Sequence, residues 1–120
     1  MITEYKTNSL LDTIIAGIQE KKGKDIISLD FEKIENPVCR YFVICNGDSN
    51  THVNAIADSI EEFTAKKLDT NVWHSEGRDQ SHWIILDYSD IVVHVFQKHY
   101  REYYDLEDLW ADCNQKEYDL

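Results

Sequence analysis

The segment that most constrains the fold is SHWIILDYSDIVVHVF, residues 81–96, in which two apolar runs flank a short polar turn. A two-residue turn at Ser89 and Asp90 predicts a β-hairpin in which Trp83 pairs with Phe96. Because side chains alternate between the two faces of a strand, this pairing gives each face a fixed set of residues. Ser-Asp is an unfavourable pair for such a turn, which prefers Gly or Asn where φ is positive, so the predicted register depends on this turn.

The two faces of the predicted hairpin differ in polarity. One face is apolar apart from a tyrosine hydroxyl, and we expect it to pack beneath helices: Ile84, Leu86, Tyr88, Ile91, Val93 and Val95. The other face mixes large apolar side chains with two polar ones: Trp83, Ile85, Asp87, Val92, His94 and Phe96. Aromatic anchors beside a few polar groups are typical of protein interfaces. The alternative is that a loop or the C-terminal helix covers this face, with Asp87 and His94 hydrogen-bonded to each other.

Periodicity and capping signals predict the remaining elements. Apolar residues at helical spacing predict a helix over 8–22 and a longer one from Asp48 or Ser49 to about Leu68. Short apolar runs predict strands over 25–30, 39–46 and 71–77, and the stretch 99–113 is predicted to be helical with a new cap at Asp105. The order α-β-β-α-β-β-β-α predicts a single α/β (α+β) domain over residues 1–120, with a five-stranded mixed sheet packed by helices.

The charge balance limits the classes of partner. The chain carries 12 Lys and Arg against 23 Asp and Glu, a formal net charge of −11. Nucleic-acid binding depends on basic residues that neutralise phosphates, so no direct DNA binding or RNA binding is expected. An acidic protein can attract a basic protein partner, and the alternative is that the negative charge only keeps the protein soluble. No stretch is apolar and long enough to predict a membrane span, and three cysteines without framework spacing favour a reduced, cytoplasmic compartment.

The sequence contains three groups of residues that could form a catalytic, metal or nucleotide site, and each group lacks a residue that such a site requires. Asp87 and His94 have no nucleophile in a recognisable context. Cys39 and Cys45 lie on one predicted strand and no C-x-x-C occurs, so no metal site is predicted. The turn 47–49 enters a helix, as the triphosphate-binding turn of nucleotidyltransferases does, but no D-x-D follows to hold the metals. A nucleotide-dependent, nucleotidyltransferase-like enzyme using Gly47-Asp48-Ser49 is the alternative function.

Four stretches together resemble the ribosomal silencing factor family, RsfS, also called YbeB or Iojap. They are NGDSNTHVNAIAD (46–58), EG (76–77), WIILDYSDIVVHVF (83–96) and REYYDLEDLW (101–110). The resemblance extends from DIISLD to LEDLW and therefore covers nearly the whole chain. Two residues depart from the usual pattern of the family. Ser89 stands where the family usually has Gly, and Thr51 stands where it usually has a basic residue.

The resemblance implies a fold like the nucleotidyltransferase core without its catalytic carboxylates. It also implies a factor that is not an enzyme, needs no cofactor, and docks on the large ribosomal subunit at its fourteenth-numbered protein. Occupying that surface would block joining of the small subunit and repress translation when nutrients are short. The family further suggests a homodimer when the factor is free of the ribosome.

The residues predicted to bind the partner fall into three groups. Trp83 is predicted to be an aromatic anchor, with Asp87 and His94 as its polar complement. Tyr88 and Phe96 are predicted to be anchors or core residues, depending on the register. Arg101 and Tyr104 are predicted to extend the patch from the following helix.

Overall fold

The computed structural model describes residues 4–119, which form a six-stranded mixed sheet with helices on both of its sides. The helices are α1 (Glu4–Glu20), α2 (Asn50–Leu68), α3 (Lys98–Tyr104) and α4 (Leu106–Leu109). The strands are β1 (Lys24–Asp30), β2 (Tyr41–Gly47), β3 (His74–Glu76), β4 (Trp83–Asp87), β5 (Ile91–Gln97) and β6 (Asn114–Tyr118). They lie in the order β3-β4-β5-β2-β1-β6; β2 and β5 run parallel and the other described pairs antiparallel. The predicted mixed α/β fold is confirmed.

The two long helices pack on one side of the sheet because each carries a continuous apolar stripe. α1 begins at Glu4, earlier than predicted. The Ser49 hydroxyl accepts a hydrogen bond from the His52 N–H at 3.1 Å and caps α2. The helices approach closely at Gly17, where a Cβ atom would lie 3.0 Å from the Ile60 Cα. None of the helices described between residues 4 and 119 has the length and apolarity to cross a membrane.

The hairpin of β4 and β5 has the predicted register. Trp83 pairs with Phe96 at one end, and at the other the Tyr88 N–H donates to the Ile91 carbonyl at 2.9 Å. The turn achieves this register by placing Ser89 in the left-handed region, with a φ of 76°. The apolar face of the hairpin packs in the main core with α1 and α2, as the alternation of side chains predicts.

The C-terminal stretch differs from the predicted helix over 99–113. α3 ends at Tyr104 because Asp105 adopts a left-handed conformation with a φ of 46°, and the one-turn helix α4 follows. Asn114–Tyr118 then forms β6 against β1, so the predicted number of five strands is wrong. The sequence of β6, NQKEY, has no alternating apolar pattern because this strand is exposed at the edge of the sheet. β3 is also shorter than predicted.

A second, smaller apolar cluster lies on the other side of the sheet. Residues of β1, β2 and β5 form it, and the segment that contains α3 and α4 covers it with Leu106 and Trp110. The Phe31 ring lies in this cluster, 4.8 Å from the Phe42 ring and 5.0 Å from that of Trp110 between centroids. The β3–β4 end of the same side keeps half-buried and exposed side chains, and this is where the candidate site lies.

Candidate protein-binding face

Residues from three strands meet at this end of the sheet. His74 and Glu76 of β3 pair with Asp87 and Ile85 of β4, and β5 adds Val92 beside Asp87. We call these five residues the open face. Ile85, Asp87 and Val92 are half-buried, whereas His74 and Glu76 are exposed. The open face therefore combines accessible apolar area with two carboxylates, which suits a partner that carries basic groups around an apolar contact.

Trp83 forms the border between the open face and the covered cluster. Its half-buried ring lies 4.9 Å from the Phe96 ring in a stacked arrangement and 4.7 Å from the Tyr104 ring. The Trp83 Nε1–H donates to His94 Nδ1 at 3.1 Å. An aromatic side chain held in this way pays little additional conformational entropy on binding, so Trp83 is suited to anchor a partner.

His94 is buried beneath Trp83 and does not pair with Asp87. The alternative in which these two side chains are hydrogen-bonded to each other is wrong, because the Trp83 indole is the partner of His94 and the Asp87 carboxylate accepts the Ser89 N–H at 2.7 Å. Burial lowers the pKa of His94 to about 3, so its ring is neutral. His94 Nε2 has no hydrogen-bond partner among the described residues. The hydrogen bond from Trp83 to His94 therefore fixes the orientation of the Trp83 ring.

Tyr88 and Phe96, whose places depended on the register, both lie in the interior. Tyr88 faces the helices, its hydroxyl lies 2.8 Å from the Thr64 hydroxyl, and burial raises the pKa of Tyr88 to about 12. Phe96 is fully buried against Trp83. Of the two predicted outcomes, anchor or core, the structure places both residues in the core. Their surface in this structure leaves little area for direct contact with a partner.

Arg101 is buried and its side chain links several helices and strands, whereas the sequence predicted that it extends the binding patch. Its Nη1 donates to the Asp25 carbonyl at 2.6 Å and to Asn46 Oδ1 at 2.8 Å, and its Nη2 lies 3.3 Å from a Glu107 carboxylate oxygen. Only 8% of Arg101 is exposed, so the guanidinium joins α3 to β1, β2 and α4. On α3, the residue of the predicted patch that reaches the surface is Tyr104, which is 48% exposed beside Trp83.

Sequence reasoning missed several aromatic side chains around Trp83. The rings of His82 and Tyr100 stack at 4.3 Å, and Tyr103 is 80% exposed. Trp73, which precedes β3, is 76% exposed. The signal for the first group was the density of aromatic residues in HYREYY (99–104), which is too high for the single buried stripe of a short helix.

The turn at Gly47-Asp48-Ser49 is engaged by side chains of the same chain. The Asp48 N–H donates to His52 Nδ1 at 2.9 Å, and the Ser49 hydroxyl accepts the His52 N–H. Lys24 Nζ lies 3.0 Å from the Asp48 carboxylate, and this hydrogen bond holds the pKa of Asp48 below its ordinary value. Within the part of the chain that the structure describes, no group of three His, Cys, Asp or Glu side chains is placed to hold a metal ion. The Asp48 N–H and the Ser49 hydroxyl are therefore already engaged by His52.

The fold defines a small mixed α/β protein with an acidic and apolar sheet face that is bordered by aromatic rings. The family model described as "Ribosomal silencing factor during starvation" matches residues 4–120. The ribosomal silencing factor RsfS of Bacillus subtilis is 42% identical over 105 residues, which are 88% of this chain and 87% of that protein. The chain belongs to the ribosomal silencing factor family.

Two further relatives extend the comparison. A crystal structure of a protein from Chromobacterium violaceum superimposes with a TM-score of 0.80 at 35% identity and covers 87% of this chain and 85% of that one. A mouse protein named "Mitochondrial assembly of ribosomal large subunit protein 1" is 26% identical over 103 residues, which are 84% of this chain and 45% of that protein. The fold is therefore shared with a solved structure along most of its length.

Proposed function

We propose that this protein binds the large ribosomal subunit through its fourteenth-numbered protein and prevents the small subunit from joining. By doing so it represses translation when nutrients are limiting. The protein acts by occupying a surface, without catalysis. Membership in the ribosomal silencing factor family supports this proposal, and so does the name of the mouse relative, which refers to the large subunit. The observation that carries it is the open face, an accessible sheet surface bordered by the half-buried Trp83.

Charge supports a protein as the immediate partner. The formal net charge of −11 disfavours contact with rRNA phosphates, whereas basic ribosomal proteins offer the complementary sign. On the open face the carboxylates of Glu76 and Asp87 lie beside the aliphatic side chains of Ile85 and Val92. A basic protein with an apolar patch among its Lys and Arg residues fits this arrangement. The remaining negative charge of the molecule then repels neighbouring rRNA.

Two other parts of the proposal concern the free protein. We propose that it is cytoplasmic, and the three cysteines, which are free and buried, agree with a reduced compartment. We also propose that it forms a homodimer when it is not bound to the ribosome. Sedimentation of the purified protein over a range of concentrations tests the dimer, which predicts a mass twice that of the chain at high concentration.

The binding experiment compares two aromatic truncations. Trp83→Ala removes the proposed anchor, and loss of a hot-spot aromatic typically costs about 2 kcal/mol or more, so binding to purified large subunits should weaken roughly 30-fold or more. Phe63→Ala is the matched control, because it removes a half-buried aromatic ring from α2, on the other side of the sheet. Co-sedimentation with large subunits gives both dissociation constants. A folded Trp83→Ala variant that binds like the Phe63→Ala variant would show that the anchor is misplaced.

A further inference from the structure

The side of Trp83 that faces away from the open face lines a separate cavity. This cavity has a volume of about 310 Å³ and opens between the loop before β4 and helix α3. Its lining includes four rings and one carboxylate: His82, Trp83, Tyr100 and Tyr104 with Asp79. Because a cavity of this size is at the lower limit for small-molecule sites, it suits a single side chain better than a larger ligand.

The lining of the cavity is rich in aromatic rings. The His82 and Tyr100 rings stack at 4.3 Å with an interplanar angle of 11°. The Trp83 and Tyr104 rings, whose centroids are 4.7 Å apart, are tilted by 43° to each other. The π faces of Trp and Tyr attract cations, and this attraction grows where water is partly excluded. Aromatic faces favour a planar guanidinium over a compact ammonium, since a guanidinium also stacks.

A carboxylate without a partner lies in the lining of the same cavity. Asp79 makes no hydrogen bond or ion pair with any residue in the described part of the chain, in contrast to the nearby Asp58, which pairs with Arg78 at 2.7 Å. A free carboxylate beside aromatic walls adds a charge-assisted, two-point contact for a guanidinium. Asp79 and the rings thus favour the same ligand chemistry independently.

The loop that carries Asp79 is held in place by the rest of the molecule. Arg78 binds the carboxylates of Asp58 and Glu61 on α2, and the Asn54 side chain donates to the Ser81 hydroxyl. Gly77 has a φ of 90°, and a Cβ atom there would collide with the backbone of Trp83. The loop is therefore fixed against β4, so the cavity exists before any ligand arrives and binding requires little reorganisation.

We propose that this cavity receives one arginine side chain of the basic partner protein, next to the contact made by the open face. The guanidinium stacks on the aromatic lining and pairs with the carboxylate of Asp79. The identity of the partner rests on the proposed function, whereas the chemistry of the cavity rests on the rings and the carboxylate. The two can therefore be tested separately.

The first experiment tests the cavity alone. The indole N–H resonance of Trp83, assigned with a Trp83→Phe variant, is followed while ¹⁵N-labelled protein is titrated with N-acetyl-arginine amide. N-acetyl-citrulline amide is the matched control because it has nearly the same shape without the charge. We expect a saturable shift with arginine, a much smaller one with citrulline, and loss of the difference in Asp79→Asn. Equal shifts for the two amides would overturn the proposal.

The second experiment tests the cavity in the complex. Asp79→Asn should weaken binding to purified large subunits about fivefold, the scale of one accessible charge pair. Glu62→Gln removes the same charge from the exposed side of α2, where the Glu62 carboxylate pairs with Lys66, and should change binding less than twofold. Equal binding by the two variants would overturn the proposal. If wild-type protein fails to bind large subunits, the proposed function fails, and the amide titration still decides the chemistry of the cavity.

Discussion

At the scale of single residues, Ser89 shows how the tertiary structure overrides a local preference. Its φ of 76° is a conformation that costs a non-glycine residue about 1–2 kcal/mol, yet the hairpin keeps its register. The register is maintained because a shift by one residue would move the apolar side chains of β4 and β5 out of the main core. A glycine, the residue that the family resemblance leads us to expect here, would adopt this conformation without strain.

Ser89→Gly should stabilise the protein. Glycine removes the strain of the left-handed conformation, and after its greater entropy in the unfolded chain is subtracted we expect a gain of about 0.5–1 kcal/mol in the free energy of unfolding. Urea denaturation measures this gain. Ser89→Ala is the control, since it removes the hydroxyl without relieving the backbone. A glycine variant no more stable than wild type would show that the turn is unstrained.

The buried, neutral His94 should make stability depend on pH. Its pKa is lowered from 6.5 to about 3 by burial, so between these values the unfolded chain binds a proton that the folded chain does not. This contribution to stability is complete above pH 6.5 and is lost as the pH falls towards 3, at up to about 1.4 kcal/mol per pH unit.

The measurement compares wild type with His94→Phe, which keeps an aromatic ring and cannot titrate. We expect the free energy of unfolding of wild type to fall more steeply than that of the variant when urea denaturation is repeated between about pH 7 and 5. The exposed carboxylates are common to both proteins and cancel in the difference. Parallel profiles would contradict the assignment of a buried, neutral imidazole.

At the scale of elements, Arg101 explains why a seven-residue helix can be a fixed part of the molecule. One guanidinium satisfies the Asp25 carbonyl, the Asn46 side chain and the Glu107 carboxylate, and so joins α3 to β1, β2 and α4. The position of Tyr104 beside Trp83 depends on that arrangement, because Arg101 holds the middle of α3 against β1 and β2. The contacts of Arg101 therefore help to fix Tyr104 at the candidate site, although Arg101 itself is buried away from it.

Arg101→Lys should destabilise the protein by about 3 kcal/mol. A lysine keeps the charge but cannot contact all three acceptors, and breaking a buried ion pair typically costs this much. Arg78→Lys is the control, since Arg78 is more exposed and its ion pairs are screened by solvent, so we expect a loss below about 1 kcal/mol. Thermal and urea unfolding of the two variants measure the contrast. Equal losses would show that burial does not distinguish the two arginines.

The elements that could be predicted from sequence are those whose signals are local. The Ser49 cap, the apolar stripe of α2 and the alternation along β4 and β5 each fix a structure within a few residues. β6 could not be predicted because its hydrogen bonds to β1 join residues almost ninety positions apart and its side chains, apart from the half-buried Tyr118, are exposed. For the same reason, alternation predicted the two faces of the hairpin but not which part of the outer face α3 and α4 would cover.

At the scale of the whole molecule, size and charge are the properties that matter for the proposed function. The described residues measure 34 × 33 × 26 Å, so a single copy bound at a subunit interface is large enough to exclude a second surface from contact. A formal net charge of −11 opposes the approach of rRNA. Neither steric exclusion nor charge repulsion requires catalysis, so both effects should depend only on the fraction of large subunits that carry the protein.

Joining of separated ribosomal subunits, followed on a sucrose gradient, tests the central claim most directly. Large subunits are first incubated with the protein at saturating concentration, and small subunits are then added under conditions that otherwise give complete ribosomes. We predict that the subunits stay separate, that the protein sediments with the large subunit, and that Trp83→Ala needs a roughly 30-fold or higher concentration for the same effect. Unchanged joining when wild-type protein saturates the large subunit would contradict the proposed function.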